Sequence, residues 1–170
     1  RRGGRLLASY HTSLFDARGR RLDNFALADL FGVDLAQESP YSICYLDRLT
    51  EPLSARVPDM PLLIKDSASD RMNPKNHAFY TRVRDGAQVL GIIMDPIIES
   101  DFESGHYVYH DHAPPGHWTE FPAIVLNRVG AGQVVYLPVP FFKGYQSKAS
   151  PFLKALFQGL IEDVLGVSRK

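Results

Sequence analysis

From Ser150 to Gly166 the apolar residues Phe152, Leu153, Leu156, Phe157, Leu160, Ile161, Val164 and Leu165 recur at three- and four-residue spacing. That is the period of an α-helix with one apolar side. Ser150 can accept from the free amides of the first turn, Pro151 fits the first helical position and Gly166 supplies a stop. A helix with this much apolar surface must pack on a sheet or on a partner chain, so the rest of the sequence has to supply that surface.

The candidates for it are short and strand-like. Arg5 to Tyr10 is an apolar run after a Gly-Gly pair, Tyr41 to Leu46 is aromatic and β-branched, and Pro61 to Lys65 is a third brief run. His77 to Val83 and Ala87 to Met94 flank Asp85-Gly86, which predicts a hairpin. Pro122 to Asn127 and Gln133 to Leu137 flank Gly130-Ala131-Gly132 and predict another. Between Tyr10 and the second strand, Asp23 or Asn24 can cap a helix of about two turns that carries Phe25, Leu27, Ala28, Leu30 and Phe31 and stops at Gly32. Pro52, Pro58 and Pro61 break the chain into loop, and Asp66 to Asn76 is a polar loop. Asp101 to Gly116 is the longest candidate for a functional loop. The elements predict a mixed sheet with helices packed on it.

Length and composition narrow the class. At 170 residues one domain buries roughly 70% of its unfolded surface, enough for a core without metal or disulfides. The single Cys44 excludes a disulfide framework within the chain. With 19 basic and 19 acidic side chains there is no cationic excess for nucleic acid. No apolar run approaches the ~18 residues of a membrane span, and Arg1-Arg2-Gly3-Gly4 is not a signal peptide. The expectation is a soluble, cytoplasmic domain. Because residue 1 is Arg rather than Met, the sequence reads as a piece of a longer chain.

Several residue groups could carry chemistry. His106, His110, His112 and His117 fall close together, and His110-Asp111-His112 would place two imidazoles on one face of a strand, as a metal site requires. A solvated loop is the preferred reading, so no metal and no cofactor are expected, with His110 and His112 the candidates should one bind. Cys44 lies between Ile43 and Tyr45, without the glycines of a nucleophile elbow, and reads as a core thiol. Thr12 and Ser13 follow the first strand and read as turn or capping hydroxyls. Gly130 and Gly132 join two strands, so no helix start faces them as in a phosphate loop. Asp16, Asp23, Asp29 and Asp34 are scattered acids with no spacing that marks a glycosidase pair. Phe102, Tyr107, Tyr109 and Trp118, together with Phe141, Phe142 and Tyr145, could stack on sugar rings or bury in an interface or core, the latter being favoured. Tyr107, Tyr109 and Trp118 are the candidates for sugar or interface contacts.

The stretch from Gly3 to Asp16 (GGRLLASYHTSLFD), followed by Asp23 to Val33 (DNFALADLFGV), resembles the β-galactosidase trimerisation domain, part of the wider class I glutamine amidotransferase-like group. His112 to Gly116, Phe121 to Asn127 and Gly130 to Pro138 are similar to the closing strands of that family. The resemblance covers most of the chain and implies an α/β, flavodoxin-like three-layer sandwich with a mixed, mostly parallel sheet. Residues 1–170 would be the C-terminal part of the complete domain, truncated at its N-terminal side. Amidotransferases of this group place a cysteine on the elbow after the strand matched by Arg5 to Tyr10, where this sequence has His11-Thr12-Ser13. The triad cannot be carried over, and no catalytic residue is assigned. The resemblance implies instead a non-catalytic module of a glycoside hydrolase in carbohydrate metabolism, used for oligomerisation or to wall a sugar cleft. Its partners would be further copies of itself, the catalytic barrel of the same parent chain, or carbohydrate. The alternatives are a hydrolase of carbohydrate or amide that uses the histidine-rich loop, and a carbohydrate-binding module.

Overall fold

In the computed structural model, residues 3–65, 78–97 and 114–168 are described. The chain runs through β1 (Arg5–Ser9), α1 (Ala28–Phe31), β2 (Val33–Glu38), β3 (Cys44–Asp47), β4 (Leu62–Ile64), β5 (Phe79–Val83), β6 (Gln88–Pro96), β7 (Pro115–Val129), β8 (Gly132–Leu137), α2 (Phe141–Lys148) and α3 (Pro151–Gly159), the last continuing as a π-helical turn over Leu160–Val164. Six strands form one mixed sheet in the order β1-β8-β7-β6-β3-β4, and β2 pairs with β5 in a separate ribbon.

Alternation along β8 shows why the sheet is covered on both sides. Val135 and Leu137 point into a core shared with Leu153, Leu156 and Leu160 of the C-terminal helix. Val134 and Tyr136 point the other way, into a core shared with Phe25, Phe31, Val33 and Phe79. Leu156 and Leu160 are fully buried and Leu153 nearly so, each contributing roughly 1.5–3 kcal/mol relative to exposure. The expected helix is thus present and seated on the sheet. The Ser150 Oγ accepts from the Leu153 amide at 3.4 Å, and Pro151 occupies its first turn. At its far end the Leu165 carbonyl accepts from Arg5 Nε at 2.7 Å, which ties the helix terminus to β1.

The expected mostly parallel sheet is corrected. Among the described strands only β1 and β8 run parallel; β8 to β7, β7 to β6, β6 to β3 and β3 to β4 are all antiparallel. The reason is connection length. Gly130, at φ 60°, and Ala131 join β7 to β8, and so short a link permits only an antiparallel pair, whereas a parallel pair needs a crossover. One face of the sheet is covered by α2 and α3. The opposite layer is α1 with the β2/β5 ribbon.

That ribbon corrects a second expectation. Asp85-Gly86 does turn the chain, with Gly86 at φ 84°, but β5 and β6 do not pair across it. Phe79 instead buries among Tyr10, Phe25 and the aromatic core of the second face, and its amide donates to the Pro138 carbonyl at 2.8 Å. The helix expected after Asp23 shortens to one turn. Asn24 Oδ1 accepts from the Phe25 and Leu35 amides at 2.8 and 2.9 Å, so its side chain fastens the loop to β2 rather than capping α1. Gly32 ends α1 as expected, at φ 73°.

Candidate functional site

Trp118 is the one sugar or interface candidate from the sequence that falls among the described residues; Tyr107, Tyr109, His110 and His112 lie outside them, as do Phe102 and His106. It sits near the start of β7, opposite Met94 of β6. The two strands close tightly there because residue 116 has no side chain: a Cβ on Gly116 would stand 2.6 Å from the Ile97 nitrogen. The indole is 54% exposed and yet fixed. Its Nε1 donates to Asp47 Oδ2 at 2.7 Å, the other oxygen of Asp47 accepts from the Arg48 amide at 2.8 Å, and the Arg48 guanidinium lies 4.0 Å from the ring centroid. Arg48 takes a left-handed backbone conformation, φ 50°, to make that return. A cation over an exposed indole contributes about 0.5–1 kcal/mol. The result is an aromatic surface oriented in advance, the property that both sugar stacking and a subunit anchor need.

Apolar surface continues from this platform. A cavity of about 130 Å³ lies between Asp47, Arg48, Pro58 and Met60. A larger groove of about 560 Å³, lined chiefly by Tyr45, Met60, Leu62, Leu63, Pro115 and Phe152, shares Met60 with it. Met60, Ile97 and Phe152 are among the exposed apolar residues here.

Sequence reasoning missed a polar group beside the platform. Asp95 closes β6, nine-tenths buried. Its Oδ2 accepts from the Tyr80 hydroxyl at 2.6 Å, and that hydroxyl accepts from Ser39 Oγ at 3.2 Å; Oδ1 has no partner among the described residues. Burial raises the proton affinity of the carboxyl, opposed by the Tyr80 hydrogen bond and the charge of His117. His117 is the register partner of Asp95 across the β6/β7 ladder. An acid at the end of the apolar run Leu90 to Met94 was the available signal.

The other candidates are structural. Cys44 is buried among Leu46, Leu62 and Ile64, and burial, reinforced by the Asp95 charge, pushes its thiol far up, leaving no thiolate to attack. Thr12 Oγ1 donates to the Ser9 carbonyl at 2.7 Å and Ser13 Oγ accepts from the Leu27 amide at 3.2 Å, so both hydroxyls serve the backbone. Asp16 binds Arg20 at 2.8 Å and Asp34 binds Arg84 at 2.5 Å. Phe141, Phe142 and Tyr145 lie on α2 rather than in a loop, with Phe141 buried. Among the described residues no three His, Cys, Asp or Glu side chains stand together as a metal site, and no helix is long and apolar enough to cross a membrane.

No family model matches the chain, and no curated protein matches it by sequence. Solved structures match it by fold. The cold-adapted β-galactosidase from Rahnella sp. R3 superposes on 98% of this chain with a TM-score of 0.60 and 17% identity, using 19% of its own length. Gan42B, a GH42 β-galactosidase from G. stearothermophilus, covers 95% with a TM-score of 0.55 and 18% identity, over 18% of its length. The β-galactosidase from Bacillus circulans sp. alkalophilus covers 95% at 0.57 and 14% identity, over 19% of its length. The chain therefore spans about a fifth of each of these proteins and shares the fold of that part.

Proposed function

We propose that this chain is an associating domain of a glycoside hydrolase: it holds copies of the enzyme together or walls the sugar cleft of a neighbouring catalytic barrel, and breaks no bond itself. The observation that carries the reading is the fold match of 98% of this chain to 19% of a β-galactosidase, which supports a reading as one domain of a larger enzyme. The family reading, a β-galactosidase trimerisation domain with amidotransferase-like, flavodoxin-like ancestry, is supported by the layering on both faces of the sheet. Trp118 is then the anchor, since it is a fixed, half-exposed indole held by Asp47 and Arg48, and fixed aromatic residues of this kind are enriched at interface hot spots.

Sedimentation velocity over a wide concentration range tests it. Concentration-dependent self-association is expected, and Trp118→Ala should weaken it by about 30-fold, the loss typical of a hot-spot aromatic. A strictly monomeric chain whose indole fluorescence responds to galactose or oligosaccharides shifts the role to cleft lining. A monomer with no such response overturns the proposal.

A further inference from the structure

We propose that the crevice between the turn after β1 and the first turn of α2 binds a small oxyanion, a carboxylate or phosphate group, with His11 and Lys143 as its contacts. The crevice has a volume of about 280 Å³ and is lined by Ser9, Tyr10, His11, Pro140, Phe142 and Lys143, with Thr12 at its rim. It opens at the carboxyl ends of β1 and β8, the single parallel pair among the described strands. That is where ligands enter open α/β sheets, because the chain leaves adjacent strands on diverging paths.

The turn itself is strained and held in place. Tyr10 and Ser13 both take left-handed conformations, φ 56° and 64°, a cost of about 1–2 kcal/mol each for residues with a Cβ. Hydrogen bonds over-determine the shape: the Tyr10 amide donates to the Leu137 carbonyl at 2.8 Å, the Leu14 amide to the His11 carbonyl at 2.9 Å, and the buried Tyr136 hydroxyl to the Tyr10 carbonyl at 2.6 Å. What this shape accomplishes is to hold the His11 ring in the crevice wall, 3.8 Å from Tyr10 and 5.3 Å from Phe79 between centroids.

The electrostatics select the ligand. Around His11 stand Lys143 from α2, Arg21 from the loop after β1 and Glu38 from β2, the last two paired at 2.5 Å. Burial lowers the proton affinity of the imidazole, and Lys143 and Arg21 lower it further against the smaller opposing effect of Glu38. His11 and Lys143 both line the crevice, and the Lys143 ammonium lies 5.6 Å from the centroid of the Tyr10 ring that His11 also packs on, so one crevice holds two nitrogen donors. An oxyanion would accept from both His11 and Lys143, and would draw a proton onto His11, so binding should tighten as pH falls. Pro140 and Phe142 give the remaining wall an apolar surface for the carbon skeleton of a small ligand.

Histidine-ring NMR on the full chain tests this, with inorganic phosphate and acetate titrated separately. The expected result is a saturable shift of the His11 resonances, a His11 titration that moves upward with bound anion, and binding at least about tenfold weaker in Lys143→Gln. Saturation by phosphate alone assigns the phosphate class, and by acetate alone the carboxylate class. Lys143 is exposed, so its replacement should leave the other resonances in place and a loss of binding is not a loss of fold. No saturable shift with either anion, an equal shift of His117, which lies on β7 outside the crevice lining, or undiminished binding in Lys143→Gln overturns the proposal.

Discussion

Replacing Gly32 by alanine should cost this domain a large share of its stability, and the size comes from two separate strains. Gly32 adopts φ 73° to end α1, and an alanine there loses about 1–2 kcal/mol for the left-handed backbone. Its Cβ would also stand 2.7 Å from the Ala87 Cβ and 2.9 Å from Asn127 Cγ, an overpacking that typically costs about 1–3 kcal/mol. Asn127 cannot simply withdraw, because its Nδ2 donates to the Asp29 and Leu30 carbonyls, both at 3.0 Å, and these are carbonyls at the end of α1 with no partner inside the helix. The total is about 2–5 kcal/mol against the 5–15 kcal/mol of a typical domain. Urea unfolding measures it, with an unchanged slope showing that only stability moved. The double variant Gly32→Ala/Ala87→Gly, compared with Ala87→Gly alone, should recover about 1 kcal/mol of the packing strain and none of the backbone strain. A single variant within about 0.5 kcal/mol of the parent, or a complete rescue by Ala87→Gly, would refute the reasoning.

Tyr136→Phe should destabilise by about 1–3 kcal/mol, since it strips the hydroxyl from a buried 2.6 Å bond and leaves the Tyr10 carbonyl without that donor; a urea midpoint equal to the parent's counts against the assignment. Asp95 binds its proton more tightly folded than unfolded, mainly through burial. Its contribution is therefore complete below the ordinary carboxylate value of 3.8 and is lost as pH rises from there through the raised folded value. Asp95→Asn should remove that part of the decline in stability above about pH 4, and an identical pH profile for the two proteins would show that Asp95 does not titrate as described. Cys44, enclosed in the core, should resist thiol reagents in the native state and react at the rate of unfolding; immediate labelling at neutral pH would place it elsewhere than in the core.

How much is legible in the sequence depends on whether a segment's partner is local. The C-terminal helix can be read because its period, its Ser150 cap and its Pro151 lie within one stretch, and the β7/β8 hairpin because Gly130 sits between two apolar runs. β2 is not legible: Val33-Asp34-Leu35-Ala36-Gln37-Glu38 has no strand pattern of its own and becomes a strand by pairing with β5, some 45 residues on. The same distant pairing takes β5 away from β6, so the Asp85-Gly86 turn is visible in the sequence and its pairing is not. α2 is hidden because Pro140 and Gly144 mask its period, and it is set in place by packing of Phe141 and Gly144 on the sheet side. The Trp118 platform is half legible. The aromatic residue stands out, but Asp47 and Arg48 lie on β3 and just beyond it, some 70 residues away, and no local pattern connects them. Asp95 is inconspicuous because an acid after an apolar run looks like the end of a strand, and its burial depends on Tyr80 and Ser39 from other elements.

The parallel pairing of β1 with β8 also bears on the order in which the chain can be built. Leu6 aligns with Val134, so the pairing of these two strands waits until some 130 residues later in the sequence have been made. At ordinary translation rates of about 5–20 residues per second, that interval is about 6–25 s. During that interval the antiparallel part of the sheet, β3, β4, β6 and β7, can already assemble from neighbours. Arrival of β8 then closes the sheet on the waiting strand, and α3 comes last to cover the joined face. The seam between β1 and β8 is therefore completed after the antiparallel part of the sheet.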